Sequence, residues 1–344
     1  MKISQKYLMT GKLPYNNLKL VTAMEAKLFS KCPFLAYLPQ MGDNEIELRT
    51  LKNIPGIIYR DDKLVLRTGT EEYQKAIADL DKAFSDPTAQ NLDLYAFDSV
   101  FLEKFGQMIT KFKPKNACVN FLGPFTISQK LLDSAKEQTI TDKKFRKLFV
   151  EAVGVKALWI IDRIKSLCPD TVPIIILEEP LLGQFGMVKR ENEEITADVV
   201  IGMLEKVTDK LKAKGAIVGV QCMDKCDWSI PIRAGVDLIS YDAYNNPNNL
   251  CIIPEIITSF LKNGGFINWA IVPVSNEALV KSLTIDYLRK RLSTTMGGVA
   301  LAGVPANLLK KSATVSINGD SNHLPILFAE KAVILASHLG AKLN

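Results

Sequence analysis

Short apolar runs recur along this chain, and between them lie longer stretches in which apolar positions return every three or four residues. A short apolar run suits a buried strand, while the three-to-four spacing suits a helix with one buried stripe. Runs at 6–9, 92–97, 117–122, 173–177, 216–220, 238–241, 266–272 and 312–316 predict eight strands. The clearest helix spans 145–167, where Phe145, Leu148, Phe149 and Ala152 follow helical spacing and Asp142 stands ready as an N-cap. Eight strands with intervening helices predict an α/β fold, a single closed (β/α)8 barrel of the TIM type in preference to a doubly wound open sheet.

Two stretches break the alternation. Residues 56–67 read as a β-hairpin with Asp61-Asp62 at its turn and apolar residues on both arms, a decoration between the first two barrel strands. Residues 181–196 form a long connection after the fourth strand, with Gly183, Gly186 and a charged run from Lys189 to Glu194. A βα connection of that length belongs on the active face of a barrel, where it can act as a lid. With no tandem repeat, low-complexity tract or Pro/Gly/Ser linker, residues 1–344 read as one domain.

Composition adds bounds. A chain of 344 residues that is 47% apolar and 23% charged can bury a large core. The 43 basic and 37 acidic residues give +6, but the signs are interleaved, which argues against a nucleic-acid partner. Neither a signal-peptide pattern nor a run of membrane-spanning length is visible, so the expectation is a cytoplasmic protein without a membrane partner. The six cysteines lack framework spacing and suit a reducing compartment.

The stretch from Ile217 to Tyr244 sharpens the functional reading. Gly219, Asp227, Trp228, Ser229, Asp237, Leu238, Ser240, Asp242, Ala243 and Tyr244 fit a frame written G-x-H-x-C-G-N-x-D-W-S…D-x-L-S-F-D-A-Y. Other strings occur in matching order: Thr10-Gly-Lys-Leu-Pro-Tyr15, Leu38-Pro39-Gln40, Ile54-Pro55-Gly56-Ile57, Gly123-Pro124-Phe125-Thr126, Leu177-Glu178-Glu179-Pro180, a Gly264–Pro273 stretch, and Thr314 to Gly319 after Leu308-Leu309. In this order and spacing the chain resembles the single-barrel, methionine-synthase-like branch of the uroporphyrinogen decarboxylase and cobalamin-independent methionine synthase superfamily.

The resemblance implies a barrel that methylates a thiol, with zinc turning the substrate thiol into a thiolate and with a methyl donor that can be a corrinoid on a partner protein. The zinc ligands depart from that pattern. The family's histidine falls on Gln221, its first cysteine on Met223 and its C-terminal cysteine on Ile317. An amide, a thioether and an alkyl group do not make a zinc site, so no metal ligand is assigned. A site rebuilt from Cys222, Cys226, Asp242 and His323 is the alternative, although strand alternation turns Cys222 away from its neighbours' face.

The resemblance also places Glu178 and Glu179 near a substrate amino group and Asp242 near the lost metal, making these three the catalytic candidates. Independently, both glutamates stand where a strand ends, the position from which barrels present functional groups. Gly11, Lys12, Tyr15, Thr126, Gln221, Cys222 and Trp269 are the substrate-binding candidates. Trp269 is preferred over other aromatics because either it or Asn268 must face the barrel interior. The expected partner is a small thiol or amino-acid-like molecule. Three readings follow: a methyltransferase-like barrel with its zinc ligands lost, a zinc-free small-metabolite-binding or inactive regulatory paralogue, and a tetrapyrrole decarboxylase-like barrel.

Overall fold

The computed structural model describes residues 3–42, 46–60, 63–132 and 138–343. A hairpin of β1 (Ile57–Arg60) and β2 (Lys63–Leu66) pairs antiparallel with Ile57 opposite Leu66. Its Asp61-Asp62 turn lies outside the described residues. Six parallel strands follow in sequential order: β3 (Asn116–Leu122), β4 (Val172–Glu178), β5 (Ile217–Cys222), β6 (Leu238–Tyr241), β7 (Phe266–Val272) and β8 (Ala313–Ile317). Intervening helices cover their outer face. The longest, Lys143–Leu167, is capped by Asp142, whose Oδ1 accepts from Lys144 N at 2.7 Å.

Two N-terminal segments close the ring into a (β/α)8 TIM-type barrel. Val315 of β8 exchanges backbone bonds with Lys6 and Leu8, both 2.9 Å. Further along the same segment, Leu13 N donates to Tyr37 O at 2.9 Å. Residues 33–37 then reach β3, since Cys118 N donates to Pro33 O at 2.8 Å and Leu35 N to Cys118 O at 2.9 Å. The first stave therefore extends beyond the expected 6–9, and the second is 33–37.

The expected strand at 92–97 does not form. Residues Ala89–Asp93 are helical, and the i, i+3 pair Leu92 and Tyr95 is buried while Leu94 is 65% exposed. Phe97 packs edge-on against both Phe121 and Trp159 in the helical layer. The true second stave is Pro33-Phe-Leu-Ala-Tyr37, in which Phe34 to Tyr37 are all buried. The hairpin consequently sits between the second stave and β3. Among the described residues no helix is long and apolar enough to cross a membrane.

Candidate functional site at the C-terminal mouth

Register places Glu178, Gln221, Ser240, Asn268 and Thr314 side by side on β4 to β8. Neighbours in register on a parallel sheet share a face, and hydrogen bonds show that this face is the lumen. Thr10 Oγ1, on the first stave, donates to Gln221 Oε1 at 2.8 Å across the barrel. Ser240 Oγ donates to the same oxygen at 3.4 Å. Asn268 Nδ2 donates to Ser240 Oγ and Ser316 Oγ, both 2.8 Å, and its Oδ1 accepts from Thr314 Oγ1 at 3.0 Å. One layer deeper, Gly219 leaves room for apolar neighbours: a Cβ there would stand 2.8 Å from Ile176 Cδ1 and Leu238 Cδ2. The lumen is therefore apolar below and polar near its mouth.

The adjacent glutamates separate onto opposite faces. Glu178 ends β4 on the luminal side, partly exposed, and accepts from Asn120 Nδ2. Burial pushes its carboxyl up to about 7; nearby Asp320 and Glu47 add to this, while the Asn120 bond and the Arg49 guanidinium oppose it. Glu179 is buried beneath the start of the helix Pro124–Lys130, where Oε1 accepts from Phe125 N at 3.0 Å and Oε2 from Thr126 N at 2.7 Å. Burial raises it to about 7 as well, outweighing hydrogen bonds from Thr126 and Phe125. Its oxygens satisfy helix-terminal N–H groups that would otherwise lack partners.

Asp242 follows β6, and its Oδ1 accepts from Tyr244 N at 3.1 Å and Asn245 N at 2.9 Å. Its Oδ2 accepts from Asn245 Nδ2 at 2.6 Å and from Asn318 Nδ2 at 3.1 Å, the latter beyond β8. The loop after β8 is also stitched to the first stave: Lys12 N donates to Asp320 Oδ1 at 2.8 Å, and Ser321 N to Lys12 O at 2.9 Å. Gly11 is required at this crossing, with φ +93° and a hypothetical Cβ only 2.9 Å from Asp320 Oδ1.

Other sequence candidates lie away from the lumen. Tyr15 is buried and donates to Glu330 Oε1 at 2.8 Å; burial, then that carboxylate, raises its phenol. Thr126 serves the Glu179 cap, and its Oγ1 accepts from Leu181 N at 3.3 Å. Asn268, and not Trp269, is the luminal member of that pair; Trp269 packs edge-on against Tyr241 at 5.5 Å, and Tyr241 against Trp228 at 6.3 Å. Cys222 shares their face, in register with Tyr241.

The 181–196 connection comprises a 3-10 turn, Pro180–Gln184, and a helix, Phe185–Glu191. It lies at the C-terminal end: a Cβ on Gly183 would stand 2.6 Å from Asp224 Cβ, just after β5. Sequence reasoning overlooked Thr10, Asn120, Ser240, Asn318 and Asp320 as contributors to the mouth. Asn120 had a usable signal, being a polar residue inside the apolar run Ala117 to Leu122.

The side chains present do not fit a catalytic zinc. Gln221 Oε1 already accepts two hydrogen bonds, Met223 is partly exposed, and Ile317 offers no donor. Among the described residues, no three His, Cys, Asp or Glu side chains converge as metal ligands, including the set of Cys222, Cys226, Asp242 and the exposed His323. No protein-family model matches the chain, and no curated protein matches it in sequence. Among solved structures 23 chains match. One is a B12-independent methionine synthase from Shewanella sp. W3-18-1 in complex with selenomethionine, and the alignment covers 98% of each chain at 13% identity and a TM-score of 0.57, a likeness of fold.

Proposed function

We propose that this methionine-synthase-like barrel takes a small amino-acid or aminothiol ligand at its mouth and does so without zinc activation of a thiol. The observation that carries the reading is Glu178: a luminal carboxylate at a strand end, oriented by Asn120 and titrating at about 7. In its ionised form it offers a charge-assisted hydrogen bond to a ligand ammonium group, stronger than a neutral bond and less screened than on an open surface. Asp242 is committed to the loops, with both oxygens bonded, and acts as a positioning residue for Asn318 and the β8 loop. The solved relative binds selenomethionine, and ligands of that size and polarity suit this reading.

The test is thermal shift and calorimetry on chelator-treated protein with homocysteine and methionine. Stabilisation that persists in chelator, disappears in Glu178→Ala and strengthens as pH rises through about 7 supports the proposal. Binding that needs added zinc, or that Glu178→Ala leaves unchanged, overturns it. The combination Gln221→His, Met223→Cys and Ile317→Cys should confer zinc binding that the natural chain lacks, because it supplies three suitable ligands.

A further inference from the structure

At the end of the barrel opposite the mouth, three helices enclose a cavity of about 490 Å³. Its walls come from Ile285–Leu301, Ala306–Lys311 and the end of the last helix, Ile326–Ala341. The chain itself fixes this position: Lys310 stands just before β8 begins at Ala313, and a Cβ on Gly340 of the last helix would lie 2.7 Å from Lys6 O, at the start of the first stave. Leu292, Met296, Leu309 and Leu339 line the cavity, together with three cations, Arg289, Lys310 and Lys342, and no acidic side chain is among the lining residues. Arg289 is shared with Asp286 at 3.3 Å, whereas neither lysine nitrogen has a partner among the described residues. Lysines at helix C-terminal ends offset the carbonyl dipole, which accounts for each of them singly. It does not account for their meeting at one apolar cavity.

Gly297 supplies an independent observation. It lines the same cavity from the interior of Ile285–Leu301, where glycine weakens a helix relative to any residue but proline. A Cβ there would meet nothing within 4 Å, so no packed neighbour requires the small residue, and what the missing side chain preserves is the open volume. We propose that this cavity binds a medium-chain carboxylate, its hydrocarbon chain along Leu292, Met296 and Leu339 and its head between Lys310 and Lys342. The volume falls within the range of small-molecule sites, about 300–1,000 Å³. The lining is aliphatic, with no aromatic ring to stack on a planar ligand, which favours a flexible chain. Apolar walls draw that chain out of water, and the two lysines select an anionic head over a neutral or cationic one. The site stands at the other end of the barrel from Glu178 and does not depend on what the mouth binds.

Calorimetry on the whole protein with decanoate, decanol and decyltrimethylammonium, each below its micellar concentration, tests this. Decanoate should bind saturably and at least about tenfold tighter than either of the others. Gly297→Leu should fill the cavity and abolish that binding without lowering the melting temperature, because leucine is the better helix former. The paired change Lys310→Glu and Lys342→Glu alters only exposed side chains and should weaken decanoate about tenfold or more while leaving decanol unchanged. Equal affinity for all three amphiphiles overturns the proposal, as does decanoate binding that survives either variant. A concentration-dependent dimer that Gly297→Leu disrupts would overturn it too, since a second copy of the chain would then be the occupant.

Discussion

Four consecutive strands carry, side by side in register, a dipeptide whose first residue enters the lumen and whose second turns to the helices: Glu178-Glu179, Gln221-Cys222, Ser240-Tyr241 and Asn268-Trp269. The inner row is polar and bonded sideways from stave to stave. Three of the four outer residues pack as thiol or aromatic groups, while Glu179 instead caps a helix. One step along a strand thus changes a residue's work from lining a site to holding the wall, because successive side chains point to opposite faces. Adjacent identity carries no guarantee of shared function, and the two glutamates show it most directly.

Breaking the outer row should cost the most. Trp269→Ala removes a fully buried ring that packs on Tyr241 and should destabilise the fold by about 3–5 kcal/mol, read from the denaturant midpoint. A loss under about 1 kcal/mol would mean that the aromatic row does not hold the wall. Next comes Glu179→Leu, which strips the acceptors from Phe125 and Thr126 N–H. Leaving two buried donors unpaired should cost about 2–4 kcal/mol, partly offset by removing a carboxyl whose burial is itself unfavourable. Helix 124–130 should then exchange its amide hydrogens faster, while the outer aromatic row keeps its protection.

An inner-row deletion should cost less. Asn268→Ala breaks three side-chain hydrogen bonds, to Ser240, Ser316 and Thr314, but the hydroxyls left behind can rotate toward other acceptors or a water. About 1–3 kcal/mol is expected, with Thr10→Val producing a smaller loss through Gln221. A double-mutant cycle between Thr10 and Gln221 should give a coupling of about 0.5 kcal/mol or more if their bond across the lumen persists in solution. Strict additivity would show that the brace does not couple the opposite staves.

This alternation also explains what the sequence revealed and what it withheld. The strands β3 to β8 each lie close to an expected run because burial on both faces concentrates apolar residues there. Period two required that either Asn268 or Trp269 be luminal, but the phase depends on register with β6 and β8, which is a tertiary property. The direction of Cys222 was legible because it was judged relative to its neighbour Gln221. The role of Glu179 in capping the start of helix 124–130 was not legible for the converse reason: its partner there is 53 residues away. The second stave was hidden because it meets β3 through a single bridge at Phe34 and Cys118, too little regular strand to leave a periodic signature.

The smallest expected effect separates the two glutamates most sharply. Glu178 has a folded-state value of about 7, raised from 4.5, so its contribution to stability is fully present below about 4.5 and is lost as pH rises through 7. Glu178→Gln cannot ionise and should not show that loss. The melting temperature of the variant minus that of the natural protein should therefore climb across this range. Taking the difference matters, because Glu179 and Glu151, each also raised to about 7, and Lys156, lowered to about 7, titrate in the same window and remain in both proteins. The effect should be modest, since Glu178 is partly exposed at the mouth and solvent screens its charge. Ligand binding should move the other way: an ammonium group needs ionised Glu178, so affinity should increase over the same pH range in which stability declines. Opposite slopes for stability and affinity, both flattened by Glu178→Gln, would mark a carboxylate kept at a cost to the fold for the sake of a ligand. Parallel slopes, or an affinity that keeps its pH dependence in the variant, would leave Glu178 a luminal packing residue and return the search for the ligand anchor to the other groups at the mouth.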